Sequence, residues 1–184
     1  MIDQLINRLQ KDPTLWVQYQ HHFQEINLKP KTVLLNAGEI SQQLFFIKKG
    51  CLRLWFNNEG RDITFQFFFE NQAVSSLESY LKQIPSQFSL ESIEPSIVTS
   101  LSREGFELLN QQYPDIKDKF QEILIQRLAN YTSLFLSRIK DTPQERYNDL
   151  LINHPEIIKR IPQHYIASYL GITPISLSRI RNRK

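Results

Sequence analysis

Apolar residues recur at steps of three or four along the segment from Pro114 to Lys140. This spacing is typical of one face of an α-helix, and about 25 residues at 1.5 Å each give a length of ~38 Å. A helix of that length projects beyond a domain of this size unless it packs lengthwise on its own sheet. The helix therefore either packs on its own sheet or projects and pairs with a second copy of itself. We favour the second alternative, in which the second copy covers the apolar face. The predicted dimerisation residues are Phe120, Leu124, Leu128, Tyr131 and Phe135.

A different pattern occupies the segment from Phe23 to about Leu101, where short β-branched and aromatic runs alternate with turn signals. Such runs are typical of strands, and regularly spaced turn glycines indicate an antiparallel sandwich or barrel. Those glycines are Gly38, Gly50 and Gly60. In the run CLRLWF, leucines alternate with Arg53 and Trp55, so we expect one face in the core and one turned outward.

The chain is predicted to divide into three parts. Residues 1–113 form a β-roll sensor domain, with residues 3–22 as a helical lead-in that breaks at Asp12-Pro13. Residues 114–140 form the long dimerisation helix. Thr142 and Pro143 then supply a helix cap and a first helical position, so residues 141–184 form a separate helical domain.

Composition excludes several classes of protein. Apolar residues make up 41% and charged residues 22% of the 184 residues, which are globular rather than disordered values. No apolar stretch approaches the ~20 residues that a membrane helix needs, and the start MIDQLINRLQ lacks signal-peptide features. We therefore expect a cytoplasmic protein that has no membrane partner.

Residues with catalytic or metal-binding chemistry are few and scattered. Cys51 is the single cysteine, which excludes a disulfide framework and cysteine-ligated zinc or iron–sulfur sites. The four histidines lie at the edges of the strand region or outside it, so they do not form the ligand set of a cupin-type enzyme. We expect no catalytic residues, no metal, no cofactor and no enzyme activity.

The net charge of +3 comes from the last quarter of the chain. Residues 1–140 carry 15 basic and 15 acidic residues, whereas residues 141–184 carry 7 and 4. From Pro162 to the end there are four basic residues and no acidic one. Such a terminus is either a solvated tail or a nucleic-acid surface, and charge alone does not decide between them.

The final segment, RIPQHYIASYLGITPISLSRIRNRK, has the spacing of a helix-turn-helix motif. Pro162 can begin a helix that ends at Gly171, and Thr173 can cap the next helix, with Pro174 at its first position. The small Ala167 allows close approach of the two helices. Leu177 and Ile180 would then fix their crossing angle.

The residues left outside this core suit DNA. Ser176, Arg179 and Arg183 share a face, and we predict that Ser176 and Arg179 contact base edges in the major groove. A second group is better suited to phosphate oxygens, or else is simply solvated. That group comprises Gln163, His164, Thr173, Ser178, Arg181, Arg183 and Lys184.

The sequence resembles the Crp/Fnr family of bacterial transcription regulators over nearly its whole length. The run LLNAGEISQQLFFIKKGCLRLWFNNEGRDITFQFF is similar to that family's opening β-roll, with a Gly38-Glu39 turn and a Lys49-Gly50 turn. LGITPISLSRI is similar to its recognition-helix signature. The resemblance implies an α+β chain with a cyclic nucleotide-binding-like jelly roll, a long dimerisation helix and a winged-helix-like helix-turn-helix. It also implies a homodimer on a pseudo-palindromic site.

Three departures from the family pattern change the expectations. Pro174 and Ile175 replace a common arginine-glutamate pair, so the target site should differ, and Ile175 could contact a thymine methyl group. The stretch NQAVSSLESYLKQIPSQFSLESIEPS offers Glu78 as a pocket candidate but no glycine or arginine for a cyclic phosphate. The chain stops four residues beyond Ile180, so the wing should be absent or minimal.

The sequence thus predicts a dimeric DNA-binding regulator whose effector is unknown and is not cyclic AMP. Double-stranded DNA and a second copy of the chain are the expected partners, with RNA polymerase and a small-molecule effector as further candidates. The alternative is a sensory or protein-interaction module that keeps this fold without sequence-specific DNA binding. Steep salt dependence combined with sequence preference would distinguish the regulator from the module.

Overall fold

The computed structural model describes residues 2–182. Helices α1 (Ile2–Gln10) and α2 (Pro13–Tyr19) open the chain, followed by a 3₁₀ turn. The carboxylate of Asp12 caps α2, because its Oδ1 accepts from the backbone N–H groups of Thr14 at 2.9 Å and Leu15 at 3.3 Å. The expected helical lead-in and its break are confirmed.

Two four-stranded sheets follow and form a β-sandwich. Their orders are β1-β8-β3-β6 and β2-β7-β4-β5, and neighbouring strands such as β1 and β8 run antiparallel. One apolar core draws on both sheets, with Phe45 and Val98 from the first and Leu52 and Leu90 from the second. The elements are β1 (Phe23–Leu28), β2 (Val33–Leu35), β3 (Gln43–Lys49), β4 (Leu52–Asn58), β5 (Arg61–Phe68), β6 (Ala73–Val74), α3 (Leu77–Lys82), β7 (Ser89–Ser92) and β8 (Ser96–Ser102).

Arg53 on β4 is buried and Trp55 is half-buried, contrary to the expectation that their face of the strand turns outward. Arg53 lies opposite Glu91 in the register of β4 and β7, and both side chains are withdrawn from solvent. The Arg53 guanidinium also stacks over the Trp55 ring, with 5.0 Å from Cζ to the ring centroid. A buried arginine is tolerated here because a carboxylate is buried beside it.

Gly50 shows why one of the predicted turn positions needs glycine. Its φ is +97°, and a Cβ built on it would lie 2.2 Å from the hydroxyl oxygen of Ser96. Any side chain there would therefore displace the start of β8.

Six helices complete the described chain, and proline stands at the first position of four of them. Thr142 caps α6 through a reciprocal box: its hydroxyl accepts from Glu145 N–H at 3.3 Å, and its own N–H donates to Glu145 Oε2 at 2.7 Å. The predicted helix start is confirmed. The helices are α4 (Arg103–Gln112), α5 (Pro114–Lys140), α6 (Pro143–Asn153), α7 (Pro155–Arg160), α8 (Gln163–Leu170) and α9 (Pro174–Asn182).

Helix α5 leaves its apolar side chains uncovered within a single chain. None of its residues is buried, and Leu128 and Phe135 are 67% and 65% exposed. Ile125 and Ile139 are equally open, so exposed apolar side chains follow much of the length of α5, and the dimerisation role of the predicted residues stays a prediction.

The chain divides into two compact units. The first holds the residues up to Phe56 together with Phe65–Gln111, and the second holds Asn57–Thr64 together with the residues from Gln112 onward. The predicted three-part division stays a prediction. Between residues 2 and 182, no helix is both long enough and apolar enough to cross a membrane.

Candidate nucleic-acid interface

The turn between α8 and α9 closes as the sequence predicts. Gly171 adopts the left-handed conformation, with φ 70° and ψ 32°. Its N–H donates to the Ser168 carbonyl at 3.0 Å, and the Ile172 N–H donates to the Ala167 carbonyl at 3.0 Å. This pair of bonds is the Schellman closure, which satisfies carbonyls that the end of a helix leaves free.

Thr173 begins α9 in the predicted way. Its Oγ1 accepts from the Ser176 N–H at 3.1 Å, and its carbonyl accepts from the Leu177 N–H at 3.0 Å. Pro174 occupies the first helical position, where its missing N–H costs nothing. Leu177 is buried against α8, where Ala167 is fully buried. The two helices are therefore held in a fixed helix-turn-helix arrangement.

The face of α9 opposite Leu177 is open to solvent. Ile175, Arg179 and Asn182 follow at steps of four and three, so they lie on one side of the helix, and all three are exposed. Ile175 is 68% exposed. Ser176 is only half-buried, and its hydroxyl lies 3.0 Å from Thr173 Oγ1.

Two arginines hold the C-terminal end of α8. Arg146 on α6 donates from Nη2 to the Leu170 carbonyl at 3.0 Å and from Nη1 to the Asp141 carbonyl at 2.6 Å. Arg138 on α5 donates to the Tyr169 carbonyl. Burial, and then the charge of Arg146, lower the pKa of Arg138. Cations are favourable at a helix C-terminus, so these two side chains fix the position of α8.

Ser168 on α8 ties this helix to the start of β5, whose residues up to Thr64 belong to the same compact unit. Its hydroxyl accepts from the Thr64 N–H and donates to the Asp62 carbonyl, both at 2.8 Å. One serine thus satisfies a donor and an acceptor of β5, and α8 is held there as well as by the two arginines.

In the first unit, the stretch around α3 contains paired serines. The hydroxyl oxygens of Ser76 and Ser86 lie 2.8 Å apart, as do those of Ser41 and Ser75. Ser79 Oγ donates to the Ile84 carbonyl at 2.6 Å. These buried hydroxyls are therefore satisfied by partners within the protein.

Comparisons with known proteins agree with this arrangement. Residues 25–113 match the family model described as cyclic nucleotide-binding domain. FixK2 from Bradyrhizobium japonicum is 18% identical, with a TM-score of 0.73, over 86% of this chain and 82% of FixK2. A Crp/Fnr family structure from Eubacterium rectale is 16% identical, with a TM-score of 0.74, over 92% of this chain and 81% of that one. The chain has the Crp/Fnr fold.

A third structure with this fold is the c-di-GMP-responsive global regulator CLP from Xanthomonas campestris, which is 15% identical with a TM-score of 0.70. That match covers 92% of this chain and 89% of CLP. No curated protein sequence matches the chain. The resemblance to Crp/Fnr regulators and the predicted order of β-domain, long helix and C-terminal helices are confirmed.

Within this Crp/Fnr fold, the predicted DNA-contacting residues fall into groups. Gln163 and His164 are exposed at the start of α8. Thr173, Ser178, Arg179 and Arg181 are exposed on α9 or at its cap, whereas Ser176 is half-buried and linked to Thr173. Arg183 and Lys184 lie outside the described residues. The roles of all these residues stay predictions.

Asn182 was missed by the sequence analysis. It lies three residues after Arg179 and seven after Ile175, and that helical spacing was the available signal. Arg138 and Arg146 had no comparable signal, because their carbonyl partners lie 31 and 24 residues away in the chain.

Glu78, the predicted pocket candidate, is exposed on α3 and pairs with Lys82, with 2.8 Å between Oε1 and Nζ. In the same stretch, the hydroxyls of Ser76 and Ser86 pair with each other, and the role of Glu78 toward an effector stays a prediction. In the described part of the chain, no cluster of histidine, cysteine or acidic side chains is arranged to hold a metal ion.

Proposed function

We propose that this protein is a homodimeric DNA-binding transcriptional regulator that places the exposed face of α9 in the major groove. The observation that carries the proposal is the open face formed by Ile175, Arg179 and Asn182 on a helix fixed at its start and at its buried side. An α-helix fits the major groove, and a rigid mount gives its side chains a defined register.

Each residue of that face has a chemical counterpart on a base edge. Arg179 donates two parallel hydrogen bonds to guanine O6 and N7, and Asn182 pairs with adenine N6 and N7. Ile175 packs on a thymine methyl group. Ser176 remains a candidate, with its hydroxyl shared with Thr173.

Charge supports the same surface. No acidic residue follows Pro162, while Arg179 and Arg181 are exposed. Gln163, His164, Thr173 and Ser178 are also exposed and are proposed to contact phosphates. A surface without carboxylates avoids repulsion of the DNA backbone.

Dimerisation would cover the apolar side chains of α5. Leu128 and Phe135 are exposed by about two thirds and belong to the predicted stripe. Phe120, Leu124 and Tyr131 are half-buried in the single chain and border that strip. An apolar strip of this length on a soluble protein is typical of an interface. Two copies then present two recognition helices to a two-fold symmetric site.

The proposal includes a small-molecule effector other than cyclic AMP. Paired serine hydroxyls around α3 satisfy one another and supply no cation for a cyclic phosphate. Glu78 remains a candidate contact for that effector. RNA polymerase remains a candidate partner of the protein.

Selection of duplexes from a random pool at two salt concentrations tests the proposal. We expect a two-fold symmetric consensus with half-sites about one helical turn apart, ~34 Å, and weaker binding at higher salt. Lys29→Ala, which removes an exposed cation of the β-sandwich, should leave the consensus unchanged. Absence of a consensus at either salt would favour the interaction module instead.

A further inference from the structure

We infer that a cleft at one edge of the β-sandwich binds a small neutral or cationic amphiphile with a hydrogen-bond donor at its head. The cleft has a volume of about 370 Å³, which is in the range of small-molecule sites. It lies within the first compact unit, where β1, β2 and the segment leading into β3 meet. Its apolar lining consists of Ile26, Val33, Leu34, Leu35, Ile40 and Phe45.

The lining changes from buried to open along the cleft. Leu35 and Phe45 belong to the core cluster and are 7% and 5% exposed, so the inner wall is rigid. Val33 and Ile40 are 42% and 41% exposed at the mouth. A short hydrocarbon chain inside the cleft would cover both exposed side chains and contact the inner wall.

Gln43 supplies an acceptor that the protein leaves unused. Its Oε1 is buried and accepts no hydrogen bond from the described residues. Neighbouring Ser41 is already engaged, because its N–H donates to Ser79 Oγ at 2.9 Å and its hydroxyl lies 2.8 Å from that of Ser75. A ligand that donates to Gln43 Oε1 regains the free energy that an unpaired buried acceptor costs.

Glu39 determines the charge that the cleft accepts. Both of its carboxylate oxygens accept from Asn36, Oε2 from the backbone N–H at 2.7 Å and Oε1 from Nδ2 at 3.2 Å. The backbone hydrogen bond, and then the side-chain bond, lower the pKa of Glu39. Among the described residues that line the cleft, Glu39 alone is ionisable. Its negative charge disfavours anionic ligands and favours a hydroxyl or an ammonium group.

Titration of the full, ¹⁵N-labelled chain with 1-octanol, octylamine and octanoate, without DNA, tests the inference by amide NMR. We expect saturable shifts at residues 33–35 and 39–43 for the alcohol and the amine, and at least tenfold weaker binding of octanoate. From hexanol to octanol, each buried methylene should tighten binding about fourfold. Shifts that stay linear up to the solubility limit, or that map elsewhere, would overturn the inference.

Variants separate the contributions of Gln43, Glu39 and Ile40 to ligand binding. Gln43→Leu removes the acceptor at similar volume and should weaken octanol about fivefold. Glu39→Gln keeps an acceptor for Asn36 and should abolish the preference for octylamine over octanoate. Ile40→Ala should weaken all ligands, whereas the control Leu81→Ala, an exposed apolar residue on α3 outside the cleft, should weaken none. Unchanged octanol binding in both Gln43→Leu and Ile40→Ala would refute the site. Because no DNA is present, either outcome leaves the proposed regulator function to its own test.

Discussion

Arg53 and Glu91 form a buried ion pair across β4 and β7, with the Arg53 Nε and Nη2 atoms each 2.7 Å from Glu91 Oε1. The two residues are directly opposite in the strand register. Two charges withdrawn from water on a sheet are stable only as a pair, because each one alone would carry its full desolvation cost.

Arg53→Met should therefore lower the free energy of unfolding by about 3–5 kcal/mol, since it leaves the Glu91 carboxylate buried without its partner. Urea denaturation, followed by circular dichroism, measures this loss. The double variant Arg53→Met/Glu91→Leu should recover most of the stability. A double variant as unstable as the single one would show that packing around Arg53, rather than charge pairing, dominates.

Replacement of Gly171 should be more costly than replacement of another glycine with positive φ. Gly171→Ala introduces a Cβ 2.9 Å from Arg138 Nη1, in addition to the ~1–2 kcal/mol penalty for alanine in the left-handed conformation. Gly60→Ala is the matched control, because φ is +83° there and its Cβ would meet nothing within 4 Å. Thermal unfolding should rank the two in that order, and operator affinity should fall for Gly171→Ala only. Equal losses of stability would remove the Arg138 contact from the explanation.

A charge on the α5 strip should disrupt the dimer without unfolding the chain. Leu128→Glu places a carboxylate at a position where the leucine side chain is 67% exposed in the single chain, so the folded monomer should tolerate the change. Sedimentation should show a lower dimer fraction, and operator affinity should fall with it. Ile152→Glu on α6, at a site 75% exposed, is the control and should stay dimeric. If Leu128→Glu folds and stays dimeric, the dimer interface lies elsewhere on the chain.

Local patterns allowed the caps and turns of this fold to be predicted. Asp12, Thr142, Gly171 and Thr173 act through neighbours within a few residues, so their roles depend on short-range spacing. The periodicity of α5 is equally local and was visible for the same reason.

Long-range pairing was not visible in the sequence. Arg53 alternates with leucines like any outward-facing residue, and its burial depends on Glu91, 38 positions away. The cleft at Gln43 and the anchors at Arg138 likewise depend on how separate segments meet. Periodicity describes one element at a time, so it does not contain these contacts.

His22 should make stability depend on pH. Burial, and then the charge of His21, lower the pKa of His22, whose Nδ1 lies 2.8 Å from Ser102 Oγ. The unfolded chain then binds a proton more readily than the folded one, so stability is complete above the ordinary pKa near 6.5 and falls as the pH drops below it. Urea midpoints between pH 5 and pH 8 measure this. His21→Gln should reduce the slope of stability against pH. An unchanged slope would exclude repulsion between the two imidazoles as a cause of the lowered pKa of His22.

The exposed face of α9 allows base reading to be tested one residue at a time. Arg179→Ala and Asn182→Ala should each cost about 1–3 kcal/mol at the preferred site and relax the preference at one position of each half-site. Ser178→Ala, at a proposed phosphate contact on the same helix, should weaken binding to all sequences alike. Duplex selection repeated with each variant gives both readouts. If Asn182→Ala keeps the full consensus while Arg179→Ala relaxes it, reading is confined to the first part of α9 and Asn182 has no base partner.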